Sequence, residues 1–189
     1  MYSYFLSTLK GGNVIKFDEL ADVKSESGVV ATLIAEPNML NFIENLKGDD
    51  FTDRANGVIY DAICRLKDQE IQQVDAFNIT ASITGDGKLQ KRAEGCLTPD
   101  VISQIVDNAK FLARGTSEEF VLLVNNVLAM AYKRKLYRDL NAAQTRVLSA
   151  KSITDIQRDV SDILDSAADN YINGADIPKI GDQLDEIMQ

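Results

Sequence analysis

The sequence predicts an all-α protein: a small bundle of short helices, then a long antiparallel helical hairpin, then a short C-terminal helix. Three observations lead there. From Ser25 onward apolar residues recur at spacings of three and four, the period of a helix with one buried face. Val, Ile, Leu and Ala carry most of the 45% hydrophobic content, aromatics supply only 7%, and prolines number three, a profile better suited to helices than to a β-sandwich. Between Thr116 and Leu148 neither Gly nor Pro interrupts the chain. At about 1.5 Å rise per residue that run allows one helix of more than about 45 Å.

Residues 1–24 form an N-terminal extension in which "SYFLSTLK" and "NVIKFDEL" fit short strands, a helical turn or an arm on another molecule. The globular bundle is expected over 25–114. "SESGVVATLIAEP" places Val29, Val30, Leu33 and Ile34 on one face and stops at Pro37, which cannot continue a helix. "PNMLNFIENL" offers Leu40, Ile43 and Leu46, with Asn38 as cap and Gly48 as terminator. In "DDFTDRANGVIYDAICRLKDQE", Thr52 or Asp53 caps a helix carrying Val58, Ile59, Ile63 and Leu66, and Phe51 is placed to staple its first turn. "VDAFNITASI" is a further short helix capped by Asp75, "TGDGK" a turn, and "TPDVISQIVDNAKFL" a helix capped by Thr98 with Pro99 at its first position.

The hairpin is expected over 115–173. Its first arm carries Phe120, Leu123, Val124, Val127, Met130, Ala131, Leu136, Tyr137 and Leu140, an apolar surface wider than one partner covers. A short turn near Ser149–Ser152 makes the second arm an antiparallel neighbour. There Ser152 caps, Asp155 takes the box position, and Ile153, Ile156, Val160, Ile163 and Ala167 form a narrow seam of the coiled-coil kind. Residues 174–189 hold a last stripe, Ile177, Ile180, Leu184 and Ile187, on a helix too short to be stable in water without a partner.

Composition narrows the function. A net charge of −9 makes the chain a poor nucleic-acid binder, because phosphate neutralisation by Lys and Arg supplies most non-specific affinity. With no histidine and only Cys64 and Cys96, the usual Cys/His zinc sites and any Ser-His or Cys-His pair are ruled out. Two scattered cysteines read as reduced packing residues. No signal peptide is expected in "MYSYFLSTLKGGNVIKF", whose short apolar run lacks a basic lead and is broken by Gly11-Gly12. No run nears the roughly 18 apolar residues of a membrane span, so a cytoplasmic protein is expected.

Candidate sites are few. "GDGKLQKR" (85–92) lacks the glycine spacing, the Ser or Thr after Lys88 and the preceding strand of a phosphate loop, and reads as an exposed turn. Asp49-Asp50 and Glu118-Glu119 stand at helix starts, where carboxylates suit the dipole. "AYKRKLYRDL" (131–140) interleaves Lys133, Arg134, Lys135 and Arg138 with Tyr132, Leu136 and Tyr137. That mixture fits an interface and a solvated face alike. From Lys151 to Gln189, nine acids face three bases, so the acidic arm favours docking on the basic one.

The segment "SESGVVATLIAEPNMLNFIENLKGDDFTDRANGVIYDAICRL" resembles the opening of the N-terminal domain of DnaB-type replicative helicases. In that family a Glu leads an apolar helix ending at Pro, and a helix with Phe, Ile-Tyr, Ile and Leu follows. Here these are Glu26, Pro37, Phe51, Ile59, Tyr60, Ile63 and Leu66. "NNVLAMAYKRKLYRDLNAAQ" is similar to the family's first hairpin arm, and "IPKIGDQLDEIM" to the linker helix that docks on a neighbouring subunit's motor domain. The resemblance spans roughly residues 25–173 and the linker. The chain departs from the family in a longer N-terminal extension, a shorter segment from Gly85 to Thr98, and the lack of a motor with its phosphate loop.

The resemblance implies a non-catalytic assembly domain, with hairpins pairing subunits into dimers and a hexameric ring that recruits primase and, in some systems, a loader. The residues expected to bind partners are Val127, Met130, Tyr132, Lys133, Leu136, Tyr137 and Leu140 on one arm and Ile156, Val160 and Ile163 on the other. Ile177, Ile180, Leu184 and Ile187 are expected to dock the linker helix. No cofactor or metal is expected in this chain; ATP and Mg belong to the missing motor. Two other readings stay open: a stand-alone adaptor or inhibitor that binds a helicase or primase, and the helicase-binding domain of a primase.

Overall fold

The computed structural model describes residues 20–149, 152–158 and 160–162; every regular element among them is helical. α1 (Val23–Ala35) begins two residues ahead of the expected start because Asp22 caps it. The Asp22 carboxylate accepts the Ser25 hydroxyl (2.7 Å) and the Ser25 N–H (3.1 Å). These bonds, the hydroxyl's first, hold the carboxyl below the usual carboxylate range. Glu36 and Pro37 end the helix.

The expected helix over 38–46 is not α. Pro37–Phe42 forms a 3-10 turn, Ile43 is extended, and a second 3-10 turn follows at Gly48–Asp50. Tertiary contacts override the helical pattern here. Met39, Leu40 and Leu46 all reach the core, and the Leu46 carbonyl accepts the Tyr60 hydroxyl at 3.0 Å. Phe51 and Tyr60 stack beside it, ring centroids 5.2 Å apart.

α2 (Arg54–Asp68) is capped by Asp53, α3 (Ala76–Thr84) by Asp75, and α5 (Pro99–Leu112) by Thr98 with Pro99 in its first turn, all as the sequence indicates. α4 (Gly87–Ala93) occupies what was expected to be a turn. Asp86 accepts the Lys88 and Leu89 N–H groups at 2.8 and 3.1 Å, Arg65 pairs with Asp86, and Leu89 and Ala93 enter the core. The long first arm is α6 (Ser117–Ser149), a single 33-residue helix. Beyond it, residues 153–158 and 160–162 are helical. Ser152 accepts the Asp155 N–H at 3.1 Å and donates to its carboxylate at 2.7 Å, closing the start of the second arm. The linker stripe and the N-terminal extension before Leu20 lie outside the described residues.

α1 is the central strut. Val29, Val30 and Leu33 are buried among Val58, Ile59 and Ile63 of α2, Ile102 and Ala109 of α5, and Phe120, Val124 and Val127 of α6, and α1 packs on α2, α5 and α6 alike. Two glycines allow close approach. A Cβ on Gly28 would meet Leu123 Cδ1 at 2.7 Å, and one on Gly57 would collide with the Gly48 carbonyl.

Two charges are buried with this core. Glu26 is 1% exposed, and its carboxylate accepts the N–H groups of Thr52 (2.7 Å) and Asp53 (2.8 Å) at the start of α2. There the helix dipole also favours negative charge. Arg134, 4% exposed, donates to the Leu20 carbonyl at 2.8 Å and to the Asp50 carbonyl. Burial lowers its pKa, while the charges of Glu26 and Asp50 act the other way.

Replacing Glu26 by Ala leaves the Thr52 and Asp53 N–H groups without their acceptor and removes one of the two carboxylates, with Asp50, whose charge favours the Arg134 cation. The loss expected in urea denaturation is about 1–3 kcal/mol, and E26Q should lose less. Gly57→Ala should cost about 1–3 kcal/mol by the same measurement, since the colliding atom is backbone. Asp22→Ala should cost about 1 kcal/mol at neutral pH. Because the folded pKa of Asp22 lies below its unfolded value, its contribution is complete above the unfolded value and vanishes as pH falls through the folded one. The gap between parent and D22A should therefore close in strong acid.

Candidate interaction surface

A helix as long as α6 has more faces than the head, α1 to α5, can cover. Phe120, Val124, Val127 and Arg134 repeat at spacings of three, four and seven and are buried toward α1 and the two 3-10 turns. On the opposite side Leu122, Ala129, Leu136 and Ala143 recur every seven residues, with Lys133, Leu140 and Val147 in the intervening positions. That is a second, coiled-coil-like seam. Leu122 is 61% exposed, Leu140 53%, and Leu148 near the tip 81%, whereas Ala129, Leu136, Ala143 and Val147 are half-buried.

The residues expected to bind partners divide accordingly. Val127 is a correction: at 1% exposure it belongs to the intramolecular core, because it lies on the α1 face with Phe120 and Val124. Met130, Tyr132, Leu136 and Tyr137 are half-buried, and Lys133 and Leu140 are exposed. In the second arm Ile156 is half-buried and Val160 exposed, while Ile163, Ile177, Ile180, Leu184 and Ile187 lie outside the described residues. Leu122, two heptads before Leu136, was not among the expected residues and is exposed on the same seam.

The basic cluster is likewise split by helix geometry. Lys133 faces outward, Arg134 inward, and Arg138 Nε donates to the Arg134 carbonyl at 3.3 Å. The signal for Arg134 was available. It falls seven residues after Val127 on the core face, just as Glu26 falls three and four residues before Val29 and Val30. Two opposite charges on two core faces are a joint in the making.

Elsewhere the chemistry is structural. The Asp86 carboxylate takes up the N–H groups that an anion at Gly87–Lys88 would need. Asp49 pairs with Arg92 at 3.1 Å. Asp50 accepts the Lys47 N–H, and burial raises its carboxyl pKa. Burial also pushes up the Cys64 thiol, away from a reactive thiolate. A cleft of ≈ 420 Å³ beside Pro37, Leu40 and Val74 holds Lys67 and Glu70, and Lys67 donates to Asn41 at 2.7 Å. Among the described residues, no three acidic or thiol groups cluster to hold a metal, and no helix is long and apolar enough to cross a membrane.

Comparison with known proteins agrees with this architecture. The crystal structure of the N-terminal domain of DnaB helicase from Mycobacterium tuberculosis shares the fold at a TM-score of 0.59 and 18% identity, the match covering 77% of this chain and 96% of that one. No curated protein matches the chain by sequence. The DnaB-like helicase N-terminal domain family matches residues 18–114, just over half of the chain. The chain belongs to the DnaB-like helicase N-terminal domain family.

Proposed function

We propose that this chain is a non-catalytic assembly module of a replicative DNA helicase, pairing through its hairpin with a second copy and, as a ring, presenting a collar for primase and, in some systems, a loader. The observation that carries this reading is the outward seam of α6, where Leu122 and Leu140 stand exposed on a helix whose other face is already packed on α1. Covering a Leu fully contributes about 1.5–3 kcal/mol, so a few such residues on each of two arms suffice to drive association. Met130, Tyr132, Lys133, Leu136, Tyr137 and Leu140 supply this surface from α6, and Ile156, Val160 and Ile163 from the second arm. Ile177, Ile180, Leu184 and Ile187 serve as the docking stripe for a motor domain, which would also hold ATP and Mg.

The charge supports protein partners over DNA. At a net charge of −9 the chain has little to offer a phosphate backbone beyond local patches, so DNA passing through such a ring is handled by the motor.

Sedimentation at increasing concentration should show at least a dimer. Leu140→Glu should weaken that association by about tenfold or more while helical content by circular dichroism stays the same. A strict monomer at high concentration would refute the pairing. The purified chain with ATP and single-stranded DNA should give no hydrolysis above background.

A further inference from the structure

We infer that Arg134 is the joint that fixes the angle at which the long arm leaves the head, and that the segment before α1 completes this joint by lending the carbonyl of Leu20. The arm is one helix without Gly or Pro from Ser117 to Ser149, so it lacks the usual causes of a sharp kink. Its direction is set where it touches the head. Up to Val127 those contacts are mainly apolar, and apolar contacts are non-directional; the exception is one side-chain bond to a single segment, Asn126 Nδ2 donating to Ser25 Oγ at 3.2 Å. Arg134 is different: its guanidinium reaches two carbonyls from two separate segments, Leu20 ahead of α1 and Asp50 in the second 3-10 turn.

It is also well placed along the helix. Beyond it the side chains of Arg138, Thr145 and Ser149 bond back to carbonyls of α6 itself. From Arg134 to Ser149 the arm extends about 22 Å, so a slack of about 10° at the joint would move its tip by about 4 Å. Knobs-into-holes packing between helices 8–10 Å apart does not tolerate such a shift. The joint therefore holds the outward seam in the orientation pairing needs, a consequence that rests on the assembly reading above. The geometry of the joint does not. Because one of its two acceptors comes from the segment before α1, a partner that draws that segment away would loosen the arm.

The test measures the arm's angle directly. Nitroxides are placed at two exposed positions, Q69C at the end of α2 and Q144C on α6, in a chain carrying C64S and C96S. Dilution with unlabelled protein leaves only intramolecular pairs to be read by electron–electron resonance. The parent should give one narrow distance distribution. Arg134→Met, which keeps bulk and removes the donors, should broaden it at least about twofold while the head retains its helical content. R134K, able to reach one carbonyl, should be intermediate. A chain beginning at Ala21 lacks the Leu20 acceptor but keeps the Asp22 cap, and should also broaden.

An R134M distribution as narrow as the parent's overturns the joint. If R134M does not fold, the chain beginning at Ala21 decides, and an unchanged width there overturns it. Broadening in R134M without broadening in the shortened chain overturns the role given to Leu20. Sedimentation of the same samples separates the two ideas: a broadened arm with unchanged self-association counts against hairpin pairing and leaves the joint standing.

Discussion

The carboxylate of Glu26 and the guanidinium of Arg134 are buried in the same interior region, and the remaining architecture is arranged to make that tolerable. Each taken alone would cost several kcal/mol to remove from water. Glu26 meets that cost with two N–H groups at the start of α2, Arg134 with two backbone carbonyls. Between them they tie the segment before α1, α1 itself, the second 3-10 turn, the start of α2 and α6 into one unit. Apolar contacts supply cohesion here, and the two charges add directed hydrogen bonds between those segments, as do Asn126 donating to Ser25 and the Arg114 N–H donating to Thr32.

This division explains the unusual load on α6. Its α1-facing side completes the core through Phe120, Val124 and Val127. Its other side carries a heptad in which Leu122 and Leu140 stay exposed while Leu136 is half-buried. A helix that ended near Arg134 would serve the core equally well. The further four turns add no fully buried residue to the core, and the assembly reading gives their surface a partner.

Much of the fold was legible because its signals are local. Asp53, Asp75 and Thr98 announce their helices through side chains that bond N–H groups two or three residues ahead, and the absence of Gly and Pro marks α6. Where the sequence misled, distant contacts had prevailed over local preference. The 38–46 stretch has a helical apolar pattern, yet Met39, Leu40 and Leu46 are buried in the core from a 3-10 turn and the non-helical stretch after it. "TGDGK" looks like a turn, yet Asp86 caps a helix that Arg65 holds in place. The candidate surface was read less well. Counting apolar residues along α6 identifies the helix as overloaded, but not which face meets α1, so Val127 was assigned outward although it is buried in the core.

By itself the sequence determined the helical class, most caps, the single long helix and the excess of apolar surface, since each depends on residues within one or two turns of one another. Only the tertiary structure decided which face of α6 belongs to the core, that Arg134 in a run of basic residues points inward, and that Leu20 and Asp50 receive it. Those outcomes depend on groups 84 and 114 residues apart in the chain, and no local rule of spacing or propensity connects them.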